Sequence, residues 1–228
     1  MRKVSIWDFP LFLNSMSKDS RENILTRLAK AGNQKSPIPY PEIADSNDIF
    51  NPEVTDLLEL FKLQFEALSG VFYFCKSNQE LIDTLSQLCK NFDKELIFCV
   101  DAKIIKLLQN AGFNRKLNEN LSIPEASLCI SSCIRLVART GSILFSSAQA
   151  EGRSHAIAPD TQIVIAFKNQ LVYNVGQALS EHTSMLSELP SMISLTSGAS
   201  RTADIEKTLV MGAHGPKELV VIMLEESL

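Results

Sequence analysis

The residues best suited to bind a ligand lie in one polar segment, from Ser197 to Glu206. Gly198 carries no side chain, so the backbone there can approach a ligand closely. Ser200 is typical of a helix cap, and it predicts a helix that begins at Arg201 and aims free N–H groups outward. The Arg201 guanidinium suits a carboxylate or a phosphate, and Thr202 joins the same set. The segment predicts a site for a small anion or a partner surface.

The location of this segment favours binding as well. It follows an apolar stretch, Ser191 to Thr196, that is predicted to be a strand. Open α/β sheets bind ligands beyond the carboxyl ends of their strands, and we expect the segment to lie at such an end. A structural interpretation remains open, because any capped helix start offers the same donors and Arg201 could pair with Asp204 or Glu206. Those carboxylates would also repel an anion.

Two further segments carry candidate residues. Gly212-Ala213-His214-Gly215-Pro216 stands just before the last predicted strand, and His214 between its glycines could face a cleft and transfer protons. A tight turn with an exposed histidine fits equally well. Thr140-Gly141-Ser142 offers two hydroxyls beside a flexible backbone position, although a plain hairpin would look the same.

The candidate residues divide into two sets. The candidates for acid or base catalysis are His214, Asp204 and Glu206. The candidates for ligand binding are Thr140, Gly141, Ser142, Ser197, Gly198, Ser200, Arg201, Thr202, Gly212 and Gly215. No metal ligands are predicted, because the other histidines, His155 and His182, are scattered along the sequence.

The cysteines and the composition exclude several functions. The five cysteines form no C-x-x-C pair, so we interpret them as buried structural thiols of a reducing, cytoplasmic compartment, and we expect no cofactor. The net charge is −4, and the Lys and Arg residues are spread along the chain, which argues against nucleic-acid binding. No apolar run is long enough for membrane insertion. The sequence also has no dinucleotide-binding, P-loop or nucleophile-elbow motif.

The periodicity predicts a three-layer α/β/α domain with a mostly parallel sheet. Near-continuous apolar strands alternate with helices. Ser77 and Asp101 are predicted to cap two of the helices, and a third runs from Asn174 to Leu186. The predicted strands include Val71 to Cys75, Ile134 to Ala138, Ile143 to Ser146, Gln162 to Phe167 and Glu218 to Leu224. We predict two regions: residues 1–50 with a helix and a proline-containing linker, and an α/β domain over residues 51–228. A helix over Asp19 to Ala31 opens the first region, and Asn51-Pro52 predicts the start of the second.

The amino terminus is not predicted to be a signal peptide. Asp8 and Pro10 interrupt its apolar stretch, and no small-residue cleavage site follows. The clean helical pattern begins only after Met16, so translation could start at either Met1 or Met16. The mass of the natively expressed protein would distinguish the two.

Taken in order, these motifs resemble those of the LUD-domain family, and within it the lactate-utilisation proteins of the C type. The resemblance rests on the block Ser200-Arg201-Thr202-Ala203-Asp204-Ile205-Glu206, on His214-Gly215-Pro216, on Ala138 to Ser142 and on the opening helix near Ser20. It covers roughly Ser17 to the end. It implies a fold similar to the sugar-phosphate isomerase and CoA-transferase group. Family members often have glutamate where this chain has Arg139.

The resemblance also implies a function. The chain would be a non-redox subunit or accessory protein that helps to oxidise L-lactate to pyruvate, beside partner subunits that contain iron–sulfur clusters. The alternatives are a freestanding enzyme acting on a phosphorylated or acyl-CoA small molecule, and a binding module without catalysis. Turnover by the isolated chain would favour the enzyme.

Overall fold

The computed structural model of the chain describes residues 18–32, 56–92, 97–113, 117, 126–150, 152, 159–205, 208–212 and 215–225. The helices in these ranges are α1 (Lys18–Gly32), α2 (Leu57–Ala67), α3 (Asn78–Leu88), α4 (Ala102–Asn110) and α5 (Val175–Ser184). The strands are β1 (Val71–Cys75), β2 (Ile97–Phe98), β3 (Leu128–Ser131), β4 (Arg135–Val137), β5 (Ser142–Ser146), β6 (Thr161–Phe167), β7 (Leu171–Val172), β8 (Ile193–Thr196), β9 (Arg201–Ile205), β10 (Thr208–Met211) and β11 (Glu218–Leu224).

The main sheet has five parallel strands in the order β1-β11-β6-β3-β2. Its central strand β6 is buried at all seven residues, and β11 is buried at six of seven. Strands covered on both faces need apolar side chains at successive positions, which explains their unbroken apolar sequences. The prediction of an α/β fold with a mostly parallel sheet is confirmed.

Each face of the main sheet supports its own core. On one face, α3 and α4 pack Leu81, Leu85, Ile104 and Leu108 against the strands. On the other face, α2 packs against β6 and β11 together with strands of a second sheet. That second sheet has the order β7-β4-β5-β8 and is antiparallel except between β4 and β7. The sequence indicated β4, β5 and β8 as strands, but it indicated neither β7 nor that these strands form a sheet of their own.

Side-chain caps begin the helices largely where the sequence predicts. Ser77 accepts a hydrogen bond from the amide of Glu80 at the start of α3, and Asp101 accepts from two amides at the start of α4. Asn174 caps α5 in the same way. The start of α2 differs from the prediction, because Asp56 rather than Asn51 provides the cap. Asn51 and Pro52 lie outside the described residues.

The predicted helix at Arg201 is wrong. Residues Arg201–Ile205 form β9, which pairs antiparallel with β10. Ser200 therefore caps no helix, and the helix start that would have aimed its free N–H groups outward does not form here. Pairing with residues farther along the chain decides the conformation, and a local cap pattern cannot report such pairing.

The chain divides into two compact units, Met1–Pro52 and Glu53–Leu228. In the first unit, α1 confirms the predicted opening helix, and its side chains from Ser20 to Gly32 are exposed. The predicted linker after Gly32 and the alternative starts at Met1 and Met16 lie outside the described residues. Among the helices of the described ranges, none is long and apolar enough to cross a membrane.

Candidate functional site

The segment that begins at Ser197 lies at the amino-terminal edge of the parallel sheet. The Ser200 amide donates to the carbonyl of Pro216, which precedes β11, at 2.9 Å, and the Arg201 guanidinium donates to the Ser69 hydroxyl before β1. The segment follows the carboxyl end of its own strand β8, but β8 belongs to the second sheet. The expected position beyond the carboxyl ends of the parallel strands is therefore wrong.

The amides expected to bind an anion are partly occupied by the protein. The Ser200 amide donates to Pro216, and the Gly212 amide donates to the Ser200 carbonyl at 3.0 Å. Arg201 is exposed, and within the described side chains its guanidinium donates to the Ser69 hydroxyl, which occupies one of its five N–H donors. The side chains of Asp204 and Glu206 lie outside the described residues, so the pairing of Arg201 with them stays a prediction.

The structure gives two of the predicted glycines a packing role. Gly141 and Gly198 have positive φ angles of 58° and 76°. A β-carbon on Gly141 would lie 2.5 Å from the backbone nitrogen of Phe65, and one on Gly198 would lie 2.3 Å from the carbonyl oxygen of Leu68. Both glycines are buried against the last turns of α2. Their lack of a side chain brings the second sheet close to this helix.

The predicted hydroxyl residues meet in one cluster. The Ser142 hydroxyl donates to the Thr140 hydroxyl at 2.7 Å, and the Ser142 and Ser197 hydroxyl oxygens are 2.6 Å apart. Ser142 is fully buried, whereas Ser197 is exposed. The structure thus brings together two segments that are far apart in sequence. The backbone of neighbouring Arg139 donates to the Tyr173 carbonyl at 3.0 Å.

The catalytic candidates fall largely outside the described part of the chain. His214 and Glu206 are not described, nor is the side chain of Asp204. The backbone of Asp204 and Thr202 is extended in β9, and Gly215 is buried. Their proposed roles therefore stay predictions.

All five cysteines are buried thiols outside any disulfide. They lie in three different core clusters: Cys75, Cys89 and Cys99 in one, Cys133 in a second and Cys129 in a third. Within the described residues, no three His, Cys, Asp or Glu side chains are grouped closely enough to hold a metal ion. His182 is also buried, and burial followed by the charge of Arg135 lowers its pKa.

A cavity of about 610 Å³ opens at the carboxyl edge of the parallel sheet. Its polar lining comes from residues that follow β2, β3, β5 and β6: Asp101, Lys103, Ser132, Gln149, Asn169 and Gln170. Apolar side chains such as Phe167 and Ile104 complete the wall. The shape and mixed lining are typical of a small-molecule site.

Hydrogen bonds organise the polar wall of this cavity. The Ser132 hydroxyl donates to Asp101 Oδ2 at 2.6 Å and accepts from the Gln149 amide at 3.1 Å. Asp101 Oδ1 accepts from the backbone amides of Lys103 and Ile104 at the start of α4. Asp101, Ser132 and Gln149 therefore hold one another in fixed positions.

Sequence reasoning assigned Asp101 only as a helix cap and missed the cavity. A signal was nevertheless present, because polar residues follow the ends of three apolar stretches within two positions, at Asp101, Ser132 and Asn169. The carboxyl ends of parallel strands meet at one edge of a sheet, so such residues converge there. Recognising this required knowing which strands belong to the parallel sheet.

Comparison with known proteins gives a consistent picture. A family model described as the LUD domain matches residues 58–224. "Lactate utilization protein C" of Macrococcus caseolyticus is 32% identical over 47% of this chain. The match spans only about half (48%) of that relative's own length. "Lactate utilization protein C 1" of Bacillus mycoides is 24% identical over 92% of this chain and 99% of its own length.

A solved structure shares the fold. It is the crystal structure of a DUF162 family protein from Deinococcus radiodurans, with a TM-score of 0.54 and 21% identity. The match covers 74% of this chain and 96% of the other. At this level of identity the likeness concerns the fold alone.

Proposed function

The chain belongs to the LUD-domain family, and we propose that it serves lactate utilisation as a subunit that carries no electrons itself. The observation that supports this role is the similarity to relatives named lactate utilization protein C, one of them along almost its whole length. The family match covers nearly all of the α/β unit, Glu53–Leu228. This match supports assigning the role to this unit.

The electrons from L-lactate would pass through partner subunits with iron–sulfur clusters. An iron–sulfur cluster is held by several thiolates that reach the iron atoms of the same cluster. Here the five buried thiols are spread over three core clusters. This arrangement supports a division in which other chains carry the redox centres.

The segment from Ser197 to Glu206 would be the contact with such a partner. Strands β9 and β10 pair with each other and with no other strand of the described ranges. A lone two-stranded hairpin is marginally stable in water, so packing against a second protein would stabilise it. Exposed Arg201 at its base could pair with a carboxylate of that protein. A small anion is the weaker alternative, since the Ser200 and Gly212 amides already donate to carbonyl oxygens.

A pull-down from the native host tests this contact. The tagged wild-type chain should recover proteins that contain iron–sulfur clusters, recognised by their iron content and visible absorbance. Arg201→Glu should reduce their recovery at least about fivefold, because charge reversal turns an attraction into a repulsion. Its melting temperature should stay within about 2 °C of wild type, as surface substitutions rarely destabilise.

Lys90→Glu is the matched control. Lys90 is exposed and follows α3, which packs on the face of the main sheet opposite to the second sheet. It reverses the same charge on the opposite face of the main sheet and should leave recovery unchanged. Equal recovery with Arg201→Glu and Lys90→Glu would contradict the proposed contact.

A further inference from the structure

We propose that the cavity at the carboxyl edge of the parallel sheet binds a phosphorylated metabolite with a hydroxylated carbon chain. Its hydroxyls would face Asp101, Ser132 and Gln149, and its phosphate would face the two lysines of α4, Lys103 and Lys106. This site lies at the edge opposite to the hairpin and does not depend on the role in lactate utilisation.

The volume of the cavity suits a ligand larger than lactate. Its volume of about 610 Å³ equals the space of roughly twenty water molecules. Lactate, with six non-hydrogen atoms, would leave most of that space filled with water. A metabolite of roughly fifteen to twenty non-hydrogen atoms fills it well, and cavities of this size typically enclose ligands of that class.

The wall formed by Asp101, Ser132 and Gln149 suits hydroxyl groups. Asp101 Oδ2 accepts one hydrogen bond from Ser132, and a carboxylate oxygen can accept a second. The Gln149 amide gives one hydrogen to Ser132 and keeps another. A ligand hydroxyl can donate to Asp101 Oδ2 and accept from the Gln149 side-chain amide. Because the three side chains already fix one another, little rotamer entropy is lost on binding.

Asn169 adds both a donor and an acceptor to the same cavity. It follows β6, and among the described residues its side-chain amide has no hydrogen-bond partner. Its neighbour Gln170 is different, because its amide is held by the Cys133 carbonyl at 2.6 Å and by the Phe167 amide at 2.7 Å. Gln170 therefore shapes the wall, whereas Asn169 remains available to a ligand.

Two lysines provide the binding position for the phosphate. Lys103 lines the main cavity and also a neighbouring hollow of about 450 Å³, which Lys106 lines as well. Both lysines are exposed on α4, and three residues apart they are neighbours on the helix surface. No ion pair with either lysine occurs within the described ranges. Two adjacent cations match the double charge of a phosphate monoester.

Helix stability does not explain why a lysine stands at position 103. Lys103 is the second residue of α4, at the positive end of the helix dipole, where a cation is unfavourable. A bound phosphate would reverse that effect by placing negative charge beside both the lysine and the helix start. The Asp101 carboxylate accepts hydrogen bonds from two backbone amides and Ser132, which direct its charge toward the protein.

Calorimetric titration of the purified full chain tests the proposal. The probes are ribose 5-phosphate and glucose 6-phosphate, with ribose, glucose and inorganic phosphate for comparison. At least one sugar phosphate should bind with Kd below about 1 mM. The free sugar and inorganic phosphate should each bind at least about tenfold more weakly, because the sugar lacks the phosphate and inorganic phosphate lacks the hydroxyl groups.

Variants locate the site. Lys103→Gln should weaken sugar-phosphate binding about tenfold, Lys106→Gln and Ser132→Ala should weaken it severalfold, and Lys90→Gln should change it less than twofold. Thermal melting checks that each variant is folded. The proposal is overturned if neither sugar phosphate binds, if inorganic phosphate binds equally well, or if Lys103→Gln and Lys90→Gln behave alike. None of these results would affect the pull-down of partner proteins.

Discussion

Gly141 shows how a single residue fixes the distance between α2 and the second sheet. Its φ of 58° is unfavourable for residues with a side chain, and a β-carbon would lie 2.6 Å from the Gln64 carbonyl carbon and 2.8 Å from the Phe65 α-carbon. Both neighbours are backbone atoms, so the clash cannot be relieved by rotating a side chain. The helix would have to move.

Gly141→Ala should therefore destabilise the protein by about 3 kcal/mol, from a left-handed backbone penalty and from overpacking. Gly112→Ala is the control. Gly112 also has a positive φ, 87°, but a β-carbon on it would lie in open space. This substitution should cost only about 1 kcal/mol. Urea unfolding, monitored by circular dichroism, measures the free energy of unfolding of both variants. Equal losses of stability would show that the contact with α2 adds nothing to the cost of Gly141→Ala.

His182 makes stability depend on pH. Burial, and to a smaller extent the charge of Arg135, lowers its pKa in the folded state below the unfolded value of about 6.5. The unfolded chain therefore binds the proton more readily. The contribution of His182 to stability is complete above that pH and is lost as the pH falls through the unfolded and then the folded pKa.

The melting temperature of wild type should fall between pH 7.5 and pH 5.5 more steeply than that of His182→Gln. The variant keeps a polar side chain of similar size but cannot take up a proton. The other titrating groups are common to both proteins, so the difference between the two profiles isolates His182. Parallel profiles would contradict the assigned cause.

At the scale of elements, sequence reasoning succeeds where the signal is local. Ser77, Asp101 and Asn174 cap helices as their types predict, and β1 and β11 match the predicted boundaries of Val71 to Cys75 and Glu218 to Leu224. A cap needs only the next three residues, and a buried strand needs only its own apolar side chains. Neither depends on distant parts of the chain.

The wrong predictions concern segments whose pairing partners lie far away in sequence. Arg201–Ile205 is a strand because it pairs with Thr208–Met211, and the segment lies at the amino edge because β8 joins the second sheet. The cavity beside Asp101 was missed for the same reason. Residue types alone do not tell which sheet a strand joins, and the choice of sheet decides which loops meet.

Backbone chemical shifts test the corrected hairpin directly. The α-carbon shifts of Arg201 to Ile205 should have the sign typical of extended residues, with cross-strand contacts between Thr202 and Val210. Helical shifts over these residues would restore the original prediction and with it the outward N–H groups. The α5 residues Val175–Ser184 serve as an internal helical reference.

At the scale of the molecule, the division after Pro52 predicts an independent α/β unit. The fragment 53–228 contains both sheets and the core clusters that join them to α2 through α5. It should unfold cooperatively, with a melting temperature within about 4 °C of the full chain, which for a domain of this size corresponds to roughly 1 kcal/mol. An insoluble fragment or a much lower melting temperature would show that residues 1–52 complete its core.

Growth of a deletion strain on L-lactate tests the central claim most directly. Removing the gene should abolish or strongly slow growth on L-lactate as sole carbon source and leave growth on glucose unchanged. The wild-type gene should restore growth on lactate, and the Arg201→Glu gene should restore it only weakly. Equal growth of the deletion and wild-type strains on L-lactate would contradict a role in lactate utilisation.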